Sequence, residues 1–125
     1  MRYSSNTFIT DQDLAWEKVA PGIKRKIMSY DDHLMLVKVE FEAGAVGAAH
    51  QHFHSQTSYV VAGEFEVTIG DETTILRTGE VFYVQPNILH GAIALTNGML
   101  LDIFSPIRED FMAAAGLLPA AAAAS

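Results

Sequence analysis

Four residues in the middle of the chain, His50, His52, His54 and Gln56, recur at every second position. On one extended strand that spacing turns all four side chains to the same face. Imidazole nitrogens and an amide oxygen together suit a borderline divalent transition ion, and a strand holds such ligands more rigidly than a loop does. A single histidine is more often a hydrogen-bonded core or surface residue than a ligand, and His33 is read that way. Solvated strand faces are built mostly from Lys, Glu, Thr and Ser, so three histidines in strict alternation read as a metal site. Gly44 and Gly63 frame the run, as expected where the chain turns tightly or two backbones approach closely. A second candidate is Asp102, a carboxylate among Leu100, Leu101, Ile103 and Phe104. Such a group needs a partner or a cavity. Its parity matches Leu100 and Phe104, and the residues alone leave a buried ion pair and a reactive carboxylate equally open.

The elements that must position these groups read as short strands. Pro21-Gly22 is a break, followed by Ile23 to Tyr30 and Leu34 to Phe41, joined through Asp31-Asp32. In the second of these Val37, Val39 and Phe41 can face a core while Lys38 and Glu40 face water. Ser58 to Val61, Glu64 to Ile69, Thr73 to Leu76, Val81 to Val84, Ala92 to Leu95 and Met99 to Phe104 follow, with turns at Gly70-Asp71 and Asn97-Gly98. This spacing predicts an all-β antiparallel barrel or double-sheet jelly roll with little helix. Thr10-Asp11-Gln12-Asp13 offers a cap for one helical turn around Leu14-Ala15-Trp16-Glu17. Residues 112–125 are rich in alanine and interrupted by Gly116 and Pro119, which predicts a frayed or loosely docked tail.

A chain of 125 residues makes one domain. Its formal charge of -7 repels phosphate backbones and anionic lipid, so nucleic acid and membrane surfaces are not expected as partners. There is no cysteine, which excludes disulfides and thiolate chemistry and fits a reducing compartment. The opening Met-Arg-Tyr-Ser-Ser-Asn-Thr has no apolar leader core, and no apolar run reaches the length of a membrane span. A cytoplasmic location is expected.

Gly44, His50, His52, Gln56 and Gly63 fit the first motif of the cupin superfamily in every spacing, with Gln56 where the pattern has Glu. Gly79 and His90 hold the matching positions of the second motif, which departs at Gln85, Asn87 and Ala94, where Pro, Gly and often Asn stand. From about Trp16 to Phe111 the chain also resembles the KdgF family, small cupins of pectin and alginate breakdown. The resemblance is carried by residues 22–27, 39–47 and 50–56, and above all by Leu101-Asp102-Ile103-Phe104-Ser105-Pro106-Ile107-Arg108-Glu109-Asp110-Phe111. That family also carries Gln as its fourth metal ligand.

The resemblance implies a cupin jelly-roll barrel over 23–111; an arm over 1–22 precedes it, and the flexible tail over 112–125, read from composition, lies outside the resemblance. It implies one divalent transition ion held by His50, His52, Gln56 and His90, with nickel, iron, manganese, cobalt and zinc all compatible. The implied reaction converts 4,5-unsaturated uronate monosaccharides to the open-chain 4-deoxy-5-keto uronate. Asp102 would then transfer protons, Arg108 would grip the uronate carboxylate, and Phe104 would wall the sugar ring. The structural rivals are a surface bridge from Arg108 to Glu109 or Asp110, and a plain core role for Phe104. His54 is expected as a contact outside the ligand set. Relatives of this kind imply a homodimer, for which residues 23–30 would serve as an edge strand. A metal-dependent dioxygenase and a non-catalytic sugar-acid sensor are the alternatives.

Overall fold

The computed structural model describes residues 1–119. A 3-10 turn at Asp11–Asp13 precedes the strands β1 (Glu17–Ala20), β2 (Ile23–Tyr30), β3 (Met35–Phe41), β4 (Val46–His50) and β5 (Ser55–Ala62). After these come β6 (Glu64–Ile69), β7 (Glu72–Arg77), β8 (Val81–Val84), β9 (His90–Ala94), β10 (Gly98–Ser105) and one helix, α1 (Glu109–Ala114). The strands form two antiparallel sheets, one ordered β1-β2-β3-β10-β5-β8 and the other β4-β9-β6-β7. This is the expected all-β double-sheet fold.

Alternation along the strands builds the core. In β3, Met35, Val37, Val39 and Phe41 are buried, while Leu36, Lys38 and Glu40 between them are partly exposed. Residues Val60, Leu100 and Phe104 from the large sheet join Phe65, Val67 and Ala94 from the small sheet in one cluster. Phe41 and Phe65 meet edge to face across it, with centroids 5.1 Å apart. Gly63 makes the turn from β5 to β6 at φ 90°, and a Cβ there would lie 2.5 Å from the Asn97 carbonyl oxygen. Asn87 takes φ 66° at the position where the second cupin motif has glycine, and Asn is the side chain that best tolerates that region.

Two expectations are corrected. The turn lies at Asp11–Asp13 with no side-chain cap from Thr10, and Glu17 opens β1 instead of closing a helical turn. Tertiary pairing decides this: Glu17 stands opposite Arg25 in register and accepts a 2.7 Å bond from its Nε. Residues 23–25 are not an edge, because β1 pairs with them on one side and β3 on the other, while residues 26–30 pair with β3 alone among the strands. The edges of the large sheet are β1 and β8. Of the two readings of the tail, docking describes its beginning, since Met112 is 1% exposed within the core. Gly116 ends α1 in a Schellman motif, with Leu117 N–H on the Met112 carbonyl and Gly116 N–H on that of Ala113. The remainder of the expected tail, residues 120–125, lies outside the described residues.

The first residues pack on the barrel as well. Asp32 accepts from the backbone N–H groups of Arg2 and Tyr3 at 2.8 and 2.6 Å, and Tyr3 is buried. Lys26 and Lys38 both reach the Asp11 carboxylate and hold it below the usual carboxylate range. No helix among the described residues is long and apolar enough to cross a membrane.

Candidate metal centre

Register brings the polar residues together. His50 at the end of β4 stands opposite His90 at the start of β9 in the small sheet. In the large sheet Gln56 stands opposite Phe104, and Ser58 opposite Asp102. Gln56, Ser58 and Val60 are the buried, inward set of β5. His52 lies in the connection between β4 and β5. The four alternating residues are therefore not one face of one strand, as their spacing predicts. The run leaves the small sheet at His50, crosses at 51–54 and enters the large sheet before Gln56. His54 is left outside the cluster: it is buried, stacks on Phe53 at 4.0 Å, and has no partner for its Nδ1.

The ligand atoms of His50, His52 and His90 lie within 4.8 Å of one another. Each ring is oriented by a backbone carbonyl. Nδ1 of His50 meets the Ala48 oxygen at 2.9 Å, that of His52 the His54 oxygen at 3.1 Å, and that of His90 the Ile88 oxygen at 2.8 Å. A carbonyl only accepts, so each Nδ1 carries the proton and each Nε2 presents a lone pair. The Nε2 of His90 is buried and has no hydrogen-bond partner. Burial lowers the pKa of His90 to about 4. It also lowers that of His52, assisted by the positive charge of Arg108. Neutral imidazoles are the form that binds metal.

Gln56 supports the same reading. Its Nε2 donates to Ser58 Oγ at 3.0 Å, which turns Oε1 to within 3.1 Å of His52 Nε2. With the His52 proton on Nδ1, two lone-pair acceptors face each other there. A shared cation accounts for that approach, since neighbouring ligands on an ion with bonds near 2.1 Å lie about 3 Å apart. The residues present therefore fit a metal ion, and the carbonyls on Nδ1 are the outer-shell partners such ligands need.

Beside these ligands lies a cavity of about 390 Å3 lined by His50, Gln56, Asp102, Phe104 and Arg108. Asp102 Oδ1 accepts from Ser58 Oγ at 2.6 Å. Burial raises the Asp102 pKa to about 6, against the opposing pull of Ser58 and Arg108. Arg108 is 6% exposed and grips Asp110 with two bonds, from Nε at 3.0 Å and Nη2 at 2.8 Å. The bridge to Asp110 thus exists, but from a buried guanidinium. Its Nη1 is buried without a partner, and its Cζ sits 5.1 Å from the Phe104 ring centre and 4.0 Å from that of Phe111. Phe104 is both core, at 2% exposed, and cavity wall.

Comparison with known proteins gives the family. The family described as Cupin domain matches residues 37–104. The pectin degradation protein KdgF of Dickeya dadantii (strain 3937) is 45% identical over 107 residues, covering 84% of this chain and 97% of that protein. The chain belongs to the cupins, and within them to the KdgF family. The structure of KdgF from Halomonas sp. superposes with a TM-score of 0.81 at 41% identity, covering 86% of this chain and 99% of that one. An RmlC-like cupin from Shewanella frigidimarina gives a TM-score of 0.85 at 42% identity, over 89% and 99% of the two chains.

Within this KdgF-family cavity two residues stand that the sequence reading did not single out. Ser58 is 1% exposed and bridges Gln56 and Asp102. Arg25 also lines the cavity, with Nε on Glu17 and Cζ 3.8 Å from the Phe111 ring centre. The basic run Lys24-Arg25-Lys26 carries no signal separating the member that faces the cavity. Ser58 had a signal, its spacing of two from Gln56, but serine on a strand is too common to stand out.

Proposed function

We propose that this protein opens the ring of 4,5-unsaturated uronate monosaccharides released in pectin or alginate breakdown, giving the open-chain 4-deoxy-5-keto uronate with the aid of one divalent transition ion. The observation that carries the reading is the pairing, on one cavity, of a carboxyl with a pKa of about 6 and a guanidinium whose Nη1 has no partner. It is supported by the similarity to the Dickeya dadantii pectin degradation protein. The cavity, at about 390 Å3, is within the size range of small-molecule sites.

His50, His52, His90 and Gln56 would hold the ion. All four are neutral, so its double charge would stay available to polarise a substrate oxygen. Arg108 binds the uronate carboxylate through Nη1, while Asp110 fixes the other side of the fork. Phe104 packs on the sugar ring. Asp102 takes the proton of the anomeric hydroxyl as the bond from C1 to the ring oxygen breaks, which leaves an aldehyde at C1 and an enolate at C5. Asp102 then delivers that same proton to C4, which completes the ketone at C5 and restores its carboxylate. No proton is gained or lost overall, so the reaction is an isomerisation. A carboxyl with a pKa of about 6 exchanges protons in both directions near neutrality. A cytoplasmic homodimer completes the reading, and sedimentation of the purified protein tests the dimer.

The deciding experiment mixes the metal-loaded protein with unsaturated uronate freshly released by a lyase. Ultraviolet absorbance of the conjugated acid is followed against an enzyme-free control, and proton NMR identifies the product. Loss of absorbance faster than the spontaneous rate, stopped by a chelator and yielding the linear keto uronate, is the expected result. A rate equal to the control with metal bound would overturn the assignment.

A further inference from the structure

Gln56 and Asp102 are joined by a single hydroxyl. The Gln56 amide donates to Ser58 Oγ at 3.0 Å, and Ser58 Oγ donates to Asp102 Oδ1 at 2.6 Å. Ser58 is 1% exposed and stands opposite the partly exposed Asp102 in the β5–β10 register, so the hydroxyl is buried and the link is held by the sheet itself. A hydroxyl has one proton to give, while an ionised carboxylate only accepts. With that proton committed to Asp102, the oxygen of Ser58 must meet a donor on its other side. An amide supplies one; a carboxylate does not.

We propose that Ser58 is a positioning residue that fixes the polarity of this chain, turning the Gln56 amide oxygen toward the metal and holding the Asp102 carboxylate in the cavity, and that it thereby requires glutamine and excludes glutamate at position 56. This deepens the metal reading given above and, for its ligand half, rests on it. A glutamate at position 56 would set two carboxylates against one proton. Either the ligand or Asp102 would then lose its donor at the buried hydroxyl. The departure from the first cupin motif at Gln56 and the buried serine two residues on are two parts of one device.

The first measurement is Ni(II) binding by calorimetry to the wild-type protein and to Ser58→Ala. Affinity is expected to fall about 10- to 100-fold, the usual effect of losing an outer-shell partner. Wild-type protein that binds Ni(II) and a folded Ser58→Ala that binds it equally well would overturn the proposal. Failure of the wild type to bind would overturn the metal reading, and with it the ligand half of this one.

The second measurement needs no metal, and its first arm does not depend on Ser58→Ala folding. Melting temperatures of chelator-treated protein are compared for Gln56→Glu alone, Asp102→Asn alone and the pair. Gln56→Glu is expected to lower the melting temperature with Asp102 present. In the Asp102→Asn background the chain can run in reverse, from the asparagine amide through Ser58 to the new carboxylate, and the loss is expected to shrink by at least half. Equal losses in the two backgrounds would overturn the proposal. So would coupling of unchanged size when the same set is repeated in a folded Ser58→Ala protein, because direct repulsion between carboxylates would then explain it.

Discussion

Burial acts in opposite senses on two ionisable groups of the site. It lowers the pKa of His90 from 6.5 to about 4 and raises that of Asp102 from 3.8 to about 6, because in each case the charged form is the one that loses water. The linked stabilities run in opposite directions with pH. For His90 the unfolded chain takes up a proton first, so its contribution to metal-free stability is lost as pH falls from about 6.5 to about 4. For Asp102 the folded protein keeps a proton that the unfolded chain has released. Its contribution is therefore lost as pH rises from about 3.8 to about 6. Asp102→Asn removes the second effect alone. In melting curves of metal-free protein it should gain on the wild type above pH 6 and lose that advantage below pH 4; a constant difference across this window would contradict the buried carboxyl. Arg108 gives a kinetic counterpart. Arg108→Ala should lower kcat/KM for the unsaturated uronate by about 10- to 100-fold, the worth of a charge-assisted hydrogen bond, and Arg108→Lys should not restore it, because an ammonium cannot keep the two-point grip on Asp110. Steady-state kinetics on variants with unchanged circular dichroism check both.

The elements matter because each side chain of the site is aimed by a register. β5 serves two purposes, pairing with β10 and β8 on its two edges while its inward face carries Gln56 and Ser58. One residue of slip would turn those side chains outward and Thr57 inward. The turn that begins β6 is held by Gly63, whose missing side chain leaves room for the Asn97 carbonyl and for Gly98 Cα, 2.5 and 2.8 Å from where a Cβ would stand. Gly63→Ala combines that clash with an unfavourable φ, and we expect it to cost on the order of 2–3 kcal/mol of stability. Urea titration of the variant measures this, and a loss under about 0.5 kcal/mol, the size expected of an unremarkable surface substitution, would show that the corner can relax.

At the scale of the whole molecule, the three histidines and Gln56 tie one sheet to the other. His50 and His90 come from the small sheet, Gln56 from the large one, and His52 from the crossing between them. An ion held by this set stabilises the folded chain only. At a free concentration of 100 times Kd it should add about 2.7 kcal/mol, seen as a rise in melting temperature on adding Ni(II) and a fall on chelation. His50→Ala should melt at the same temperature with and without Ni(II), and retention of stoichiometric metal by that variant would remove His50 from the ligand set. The net charge of -7 belongs to this scale too, for an acidic protein can hold an anionic sugar only at a local cluster of cations. Arg108 and Arg25 both lie over Phe111 and both line the cavity, each paired with a carboxylate, Asp110 and Glu17 respectively.

The sequence by itself determined the all-β class, most strand positions and the grouping of His50, His52 and His90. Strand alternation and turn chemistry are local, and the two cupin motifs have fixed internal spacings. It also marked Asp102 as chemically out of place in its surroundings, while Arg108 was singled out only by the family resemblance. It did not determine which strands pair. The placement of Glu17 in β1, the inner position of β2, and the crossing of the histidine run from sheet to sheet all depend on partners distant in the chain. The same holds for the finer construction of the site. Ser58 acquires its place only because β5 and β10 pair in a register that sets it opposite Asp102, and a pKa of about 6 arises only from the surroundings that this pairing creates. Local pattern fixes which side chains face inward; long-range pairing fixes which of them meet, and the chemistry of the site depends on the meeting.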